Sequence, residues 1–312
     1  MDNDQSTPVR MTLKELVEHY EGFLGHLEQK RPETRGTYQR ALREFVSWFP
    51  LDRKFQFRRR DVERYRRHLS ERRGFTDSSI GTYMTALRQF CRYLVEAGVL
   101  ESNPARRVAG GRRPERHSRA WLRRTEVAAL LDAIDTTSLQ GARDMAIIRA
   151  MLHCALSEQE CVHADVGDMR VDERGLPTLA VQGKGRSAKD VAVTLTPEAH
   201  NAVNEYLTRR FGGEEIPAEA PLFAGVGNRS HGARMTARGM RAAVTRWLES
   251  SGVKRGRDHR LTPFSLRHTC GLFLVDGGAT VEEVMKRMRI EWPPTAQLYF
   301  TIRAAHPDDS DE

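Results

Sequence analysis

Apolar residues in the first hundred positions recur at helical spacing. Leu13, Leu16, Val17, Tyr20, Phe23, Leu24 and Leu27 share one stripe, and Thr12-Leu13-Lys14-Glu15 has the form of a capping box, so the pattern predicts a helix opening there. Tyr38, Leu42, Phe45 and Trp48 mark a second helix that stops at Pro50. Val62, Tyr65 and Leu69 mark a third, and Ile80, Tyr83, Leu87, Phe90 and Leu94 a fourth that ends near Gly98. Short connections join these segments, which predicts a small four-helix bundle.

The periodicity then disappears. Between Asn103-Pro104 and Trp121 the chain carries Arg106, Arg107, Arg112, Arg113, Arg116 and Arg119 among Gly110, Gly111 and Pro114. That composition reads as a basic linker over 106–120, separating a helical domain of 1–105 from a second domain of 121–312. Residues 125–135 and 142–156 regain helical spacing. Leu179/Val181 and Val191/Val193/Leu195 alternate on either side of Gly183-Lys184-Gly185, the pattern of an antiparallel hairpin. Further helices are expected from about Pro197, Thr236 and Thr280. The fold class is therefore mainly α with a small antiparallel β-sheet, in two domains, as a length of 312 residues suggests.

Charge adds a location. The chain has 50 Lys+Arg against 42 Asp+Glu, a formal net charge of +8. Residues 31–120 hold 22 of those bases and 10 of the acids, whereas 121–300 hold 24 and 22. The excess thus sits on the bundle and the linker, the footprint of a nucleic-acid-binding part. Arg58, Arg59, Arg60, Arg64, Arg66, Arg67, Arg72 and Arg73 concentrate it around the third helix, partly offset by Glu63 and Glu71. Arg112, Arg113 and Arg186 are further candidate phosphate contacts. The four cysteines, Cys91, Cys154, Cys161 and Cys270, have no C-x-x-C spacing, which argues against a zinc site or a disulfide framework. The acidic, polar start and the lack of any run of 18 apolar residues predict no signal peptide and no membrane span.

Three local patterns occur in one order: Gly183-Lys184-Gly185 in the hairpin, Thr262-Pro263-Phe264-Ser265-Leu266-Arg267-His268-Thr269 opening a helix, and Thr295-Ala296-Gln297-Leu298-Tyr299 near the end. With Gly98-Val99-Leu100-Glu101-Ser102-Asn103-Pro104, Trp121-Leu122-Arg123-Arg124-Thr125-Glu126-Val127 and Arg143-Asp144-Met145-Ala146-Ile147-Ile148, they make the chain resemble the tyrosine recombinases, or phage integrases, of the Xer type. The resemblance implies an N-terminal core-binding (SAM-like) domain and a catalytic-type domain facing it across duplex DNA. It also implies a reaction in which a tyrosine attacks a phosphodiester and forms a 3′-phosphotyrosine, with no metal and no cofactor. Two arginines hold the phosphate, a hairpin lysine protonates the leaving 5′-oxygen, and two histidines assist.

Carried over position by position, the nucleophile falls on Tyr299, the second arginine on Arg267 and the lysine on Lys184. The first arginine of a Thr-Gly-Leu-Arg pattern falls on Ser157 in Cys154-Ala155-Leu156-Ser157, and the glutamate that follows it on Glu160. The two histidines fall on Phe264 and on Ile290, nine residues before the tyrosine. Loss of one preorganised stabiliser costs roughly 100-fold to 1,000-fold in rate, and loss of general acid–base help about 100-fold more. The expectation is a DNA-binding protein of recombination or integration, with strand cleavage impaired or lost, in an accessory or regulatory role. The alternative is an active recombinase working through Tyr299, with a displaced arginine among Arg149, Arg186 and Arg289 replacing the missing one. The expected partner is double-stranded DNA, with a second recombinase protomer left open. The 13 residues after Tyr299 show no amphipathic helix of the kind that docks into a neighbour. The expected location is cytoplasmic, with the nucleoid.

Overall fold

The computed structural model describes residues 8–30, 32–111, 120–183, 188–228, 230–257 and 260–306. The chain divides into two compact units, Met1–Glu115 and Arg116–Glu312.

Helices α1 (Leu13–His26), α2 (Pro32–Trp48), α3 (Arg59–Arg67) and α4 (Asp77–Glu96) build the first unit. Thr12 caps α1: its hydroxyl accepts from the Glu15 amide, and the Glu15 carboxylate accepts from the Thr12 amide at 2.7 Å. Both bonds satisfy amides that the first helical turn leaves unpaired. The stripes read from the sequence converge on Leu16, Phe23, Leu42, Phe45, Val62, Tyr65, Ile80, Leu87 and Phe90, all buried. Phe55 and Phe57, set among Arg53, Lys54 and Arg58, join this core and pack edge to face at 5.0 Å, while Phe45 meets Tyr65 at 5.1 Å. Such pairs add about 0.5–1.5 kcal/mol each beyond the area they bury.

After α4 the chain turns at Gly98 (φ +71°) and folds back onto the bundle. The guanidinium of Arg88 donates to the carbonyls of Ala105 (3.1 Å) and Val108 (2.7 Å), and Ala105 and Val108 are buried. Gly111 lies so close to α4 that a Cβ would stand 1.6 Å from the Asp77 carbonyl oxygen, which only glycine permits. Arg112 and Arg113 lie outside the described residues.

The second unit begins with α5 (Arg124–Asp132) and α6 (Leu139–His153). Helix α6 is buried over most of its surface, and its Asp144 gathers two guanidiniums. The Arg143 guanidinium donates twice to Asp144 Oδ1, and Arg246 and Trp247 both donate to Oδ2. The short α7 (Glu158–His163) leads to an antiparallel sheet of β1 (Met169–Val171), β2 (Pro177–Val181) and β3 (Val191–Thr194), in the order β1-β2-β3. In the hairpin Leu179 pairs with Val193 and Val181 with Val191, and the alternating Leu179, Val181 and Val193 point into the core. Helices α8 (Pro197–Phe211), α9 (Ala237–Ser250), α10 (Val253–Arg257), α11 (Pro263–Asp276), α12 (Val281–Met288) and α13 (Pro293–Ala305) complete it. Thr196, Thr236 and Thr280 cap α8, α9 and α12. Among the described residues no helix is long and apolar enough to cross a membrane.

Candidate active site

Among the described residues, Ser157, Glu160, Arg267, Arg289 and Tyr299 stand on or beside α7, α11, α12 and α13, which meet at one place. Pro263 occupies the first turn of α11, where its missing amide costs nothing, and Arg267 follows on the buried side of that helix. Its Nη1 donates to the Ala155 carbonyl (2.5 Å) and to Glu160 Oε2 (3.1 Å), and Nη2 donates to the Met288 carbonyl. Burial, reinforced by the neighbouring guanidinium of Arg289, pushes the Arg267 pKa down, although Glu160 opposes this.

Ser157 meets this cluster through its backbone amide. It is the N-cap of α7: its hydroxyl accepts from the Glu160 amide (3.3 Å), and Glu160 Oε2 accepts from the Ser157 amide (2.6 Å). The Ser-x-x-Glu spacing is a capping box legible in the sequence. A second guanidinium, that of Arg289, reaches the same carboxylate. Arg289 ends α12 in the left-handed conformation (φ +52°) and donates from Nε to Glu160 Oε1 (2.5 Å) and from Nη2 to Glu160 Oε2 (2.9 Å) and the Ala155 carbonyl (2.5 Å). Of the three arginines near the motifs, Arg149 lies instead beside Met145, and Arg186 is outside the described residues. Burial raises the Glu160 pKa, but the hydrogen bond and charge of Arg289 and the charge of Arg267 outweigh it and hold the carboxyl below its ordinary value.

Tyr299 lies on α13 with 2% of its surface exposed. Its hydroxyl oxygen stands 2.8 Å from Nδ1 of His268, a hydrogen bond whose direction the imidazole tautomer sets. A phenol against an imidazole is the geometry of a nucleophile and a general base. His268 follows Arg267 directly in the sequence, and that adjacency is the signal that a search restricted to positions 264 and 290 overlooks. Phe264 packs edge-on against His268 at 5.0 Å, and Ile290 packs against the apolar cluster of Val284, Met288 and Ala296. Neither side chain has a polar atom to offer. Lys184 lies outside the described residues. The other lysine of that connection, Lys189, is held by Asp165 (2.6 Å) and Asp168. Burial raises the Cys270 thiol to about 11 and the Cys161 thiol further, so neither is a thiolate near neutral pH.

Gly271 sets the position of the tyrosine ring. A Cβ there would stand 2.5 Å from Tyr299 Cε1 and from Met288 Sδ. Gly271→Ala is expected to destabilise by about 1–3 kcal/mol through overpacking, lowering the melting temperature by roughly 2–10 °C in a thermal melt. An unchanged melt would mean that the ring yields freely.

The arginines of the first unit are not equivalent. Arg64 is half-buried and committed to Asp52 (2.7 Å) and Asp61 (2.8 Å), Arg59 to Glu63 (3.0 Å), and Arg73 to Glu44 (2.8 Å). Arg58 is partly buried before α3, and Asp61 accepts from its amide. Arg60, Arg67 and Arg72 are exposed.

Known proteins match both units of the chain. Residues 17–98 match the phage integrase N-terminal SAM-like domain. A tyrosine recombinase XerC of Pelobacter propionicus is 29% identical over 93% of this chain and 92% of its own length, and a XerD of Lacticaseibacillus casei is 26% identical over 91% and 94%. In fold the chain resembles a XerH site-specific recombinase in complex with its palindromic difH substrate (TM-score 0.68, 14% identity, 96% of this chain and 85% of that one). It also resembles a lambda integrase dimer bound to a core site (TM-score 0.67, 13% identity, 91% and 96%). Because residues 120–306, a stretch that holds Arg267 and Tyr299 and makes up more than half of the chain, match the Phage integrase family, the chain belongs to that family.

Proposed function

We propose that this member of a DNA-recombination family binds double-stranded DNA at a recombination-type site and cleaves it poorly by itself, serving recombination as an accessory or regulatory protein. The exposed Arg60, Arg67 and Arg72 of the basic first unit would meet phosphates, a contact that carries little sequence information. The solved relatives in complex with DNA, and the near full-length match to XerC and XerD proteins, support a duplex as the ligand. One observation carries the poor cleavage. Around Tyr299, the positions of the first arginine and of both histidines hold a helix cap and two apolar side chains, Ser157, Phe264 and Ile290. Phe264 and Ile290 have no side-chain polar atom to place on a phosphoryl oxygen, and the short Ser157 hydroxyl offers one neutral donor in place of a charged five-donor guanidinium.

The His268–Tyr299 hydrogen bond favours the second reading, an active recombinase with a rearranged site. A nicked suicide duplex separates the two. The expected result is a covalent protein–DNA adduct that forms at least about 100-fold more slowly than with a relative holding the full set of residues, and that is absent in Tyr299→Phe. A Tyr299-dependent adduct formed as fast as by such a relative overturns the accessory reading. Absence of duplex binding at low salt overturns DNA binding itself.

A further inference from the structure

We propose that Arg303 is a positioning residue for Tyr299, and that its ion pair with Asp276 fixes where the tyrosine hydroxyl stands. The inference rests on the reading above in one respect, that Tyr299 is the group that forms the slow adduct. Three observations carry it.

The first is that the ring cannot adjust by itself. Tyr299 is buried, and its ring lies directly on the backbone of α11: a Cβ on Gly271 would stand 2.5 Å from Cε1, 2.8 Å from Cζ and 2.5 Å from Met288 Sδ. In a place packed this closely, turning the ring about its side-chain torsions drives it into α11 or Met288. The hydroxyl therefore moves when α13 moves, and the seating of α13 on α11 decides where it stands.

The second is how that seating is held. Tyr299 and Arg303 are four residues apart, so they share one face of α13. Both meet α11. The Tyr299 hydroxyl stands 2.8 Å from Nδ1 of His268, and one turn later Arg303 Nη2 donates to Asp276 Oδ2 at 2.7 Å while Nε stands 2.5 Å from Oδ1. The two charged side chains are 13% and 7% exposed, so water and salt screen them little. A planar fork on a carboxylate fixes angle as well as distance. Two polar ties one turn apart thus set both the rotation and the height of α13. Past Arg303, the ring of His306 lies 5.3 Å from that of Trp121, which holds the end of the helix as well.

The third is the place of Asp276. It is the last residue of α11, where the helix dipole disfavours a negative charge. Helix stability alone would put a base there. The carboxylate is accounted for by the guanidinium that α13 brings to it from one turn beyond the nucleophile.

The test uses the full chain and two readouts. One is the maximal single-turnover rate of the Tyr299 adduct on the nicked duplex, kept apart from the protein concentration that gives half of it. The other is nitration of Tyr299 by tetranitromethane, read from the mass of the peptide that holds it, which needs no cleavage. In Arg303→Gln the maximal rate is expected to fall about 10-fold to 100-fold, with the half-maximal concentration unchanged. Tyr299 should nitrate at least about tenfold faster as α13 loosens. Asp276→Asn should match it, Arg303→Lys should lose less because it keeps the charge without the fork, and Asp276→Arg combined with Arg303→Asp should recover part of the loss. Thermal melts establish that each variant is folded, and should Arg303→Gln fail to fold, Arg303→Lys and the exchanged pair decide. A lower melting temperature with unchanged rate and nitration overturns the proposal, since the pair would then serve stability alone. A faster adduct also overturns it, because the pair would restrain the tyrosine rather than place it, and so does a raised half-maximal concentration at an unchanged maximal rate. If the wild type binds no duplex, the DNA-binding reading falls, and nitration still decides the role of Arg303: equal rates in wild type and variants overturn it.

Discussion

Glu160→Gln should lower the melting temperature of the second unit by roughly 6–20 °C, the equivalent of about 3–5 kcal/mol at about 2–4 °C per kcal/mol for a domain of this size. Glu160 is 5% exposed in its side chain and accepts from Arg289 Nε and Nη2, Arg267 Nη1 and the Ser157 amide. A neutral amide of the same shape cannot compensate either guanidinium, and its nitrogen is a donor facing donors. Two like charges sharing the same acceptors then repel in a low-dielectric place, where removing one partner of a buried pair costs far more than the pair contributes. The same residue makes the wild type acid-sensitive. Its folded pKa lies below the ordinary 4.5, so the unfolded chain takes up its proton first as pH falls. The stabilisation is complete above that ordinary value and is lost as pH drops through the folded value. Melts across the acid range should therefore show a shallower pH dependence in Glu160→Gln than in the wild type. Equal melting temperatures at neutral pH would mean that the cluster is not held by this carboxylate.

How much of this site is legible in the chain depends on how local its causes are. Thr12, Thr236 and Thr280 announce helix starts because a cap acts within three residues, and the structure places each where the spacing does. The Leu179/Val181 and Val191/Val193 alternation locates the hairpin for the same reason. Strand β1 and helix α7 escape, being three and six residues long, too short to repeat a period. Phe55 and Phe57 look like interruptions of a charged run until the bundle closes over them. Arg64 reads as one more basic residue, whereas its partners Asp52 and Asp61 make it part of the fold. The decisive contacts of the site are remote: Arg289 reaches a carboxylate 129 positions away, and His268 meets a tyrosine 31 positions on. Nothing local predicts a left-handed arginine. Motif positions reveal which groups a site lacks, and only the fold reveals which groups gather there.

That distinction yields the largest expected change in activity. Phe264→His with Ile290→His should speed formation of the Tyr299 adduct by more than about 100-fold, since each restores a donor where the transition state gathers charge and such donors are each worth roughly 100-fold to 1,000-fold. The two effects need not multiply, because groups acting on one phosphate act as a unit. Adding Ser157→Arg to that pair should contribute under about threefold, for three physical reasons. Arg289 already brings a second guanidinium to Glu160. A third beside it would meet like charge, with only one carboxylate to share. Losing the Ser157 cap should also cost α7 about 0.5–2 kcal/mol. The measurement is the single-turnover rate of adduct formation on the nicked duplex for the wild type, the double variant and the triple variant, each checked by thermal melt. A rate that rises only when Ser157→Arg is present would place the defect at the missing arginine. A rise in the double variant alone would show that the arginines suffice and that catalysis is limited by the two apolar side chains at 264 and 290.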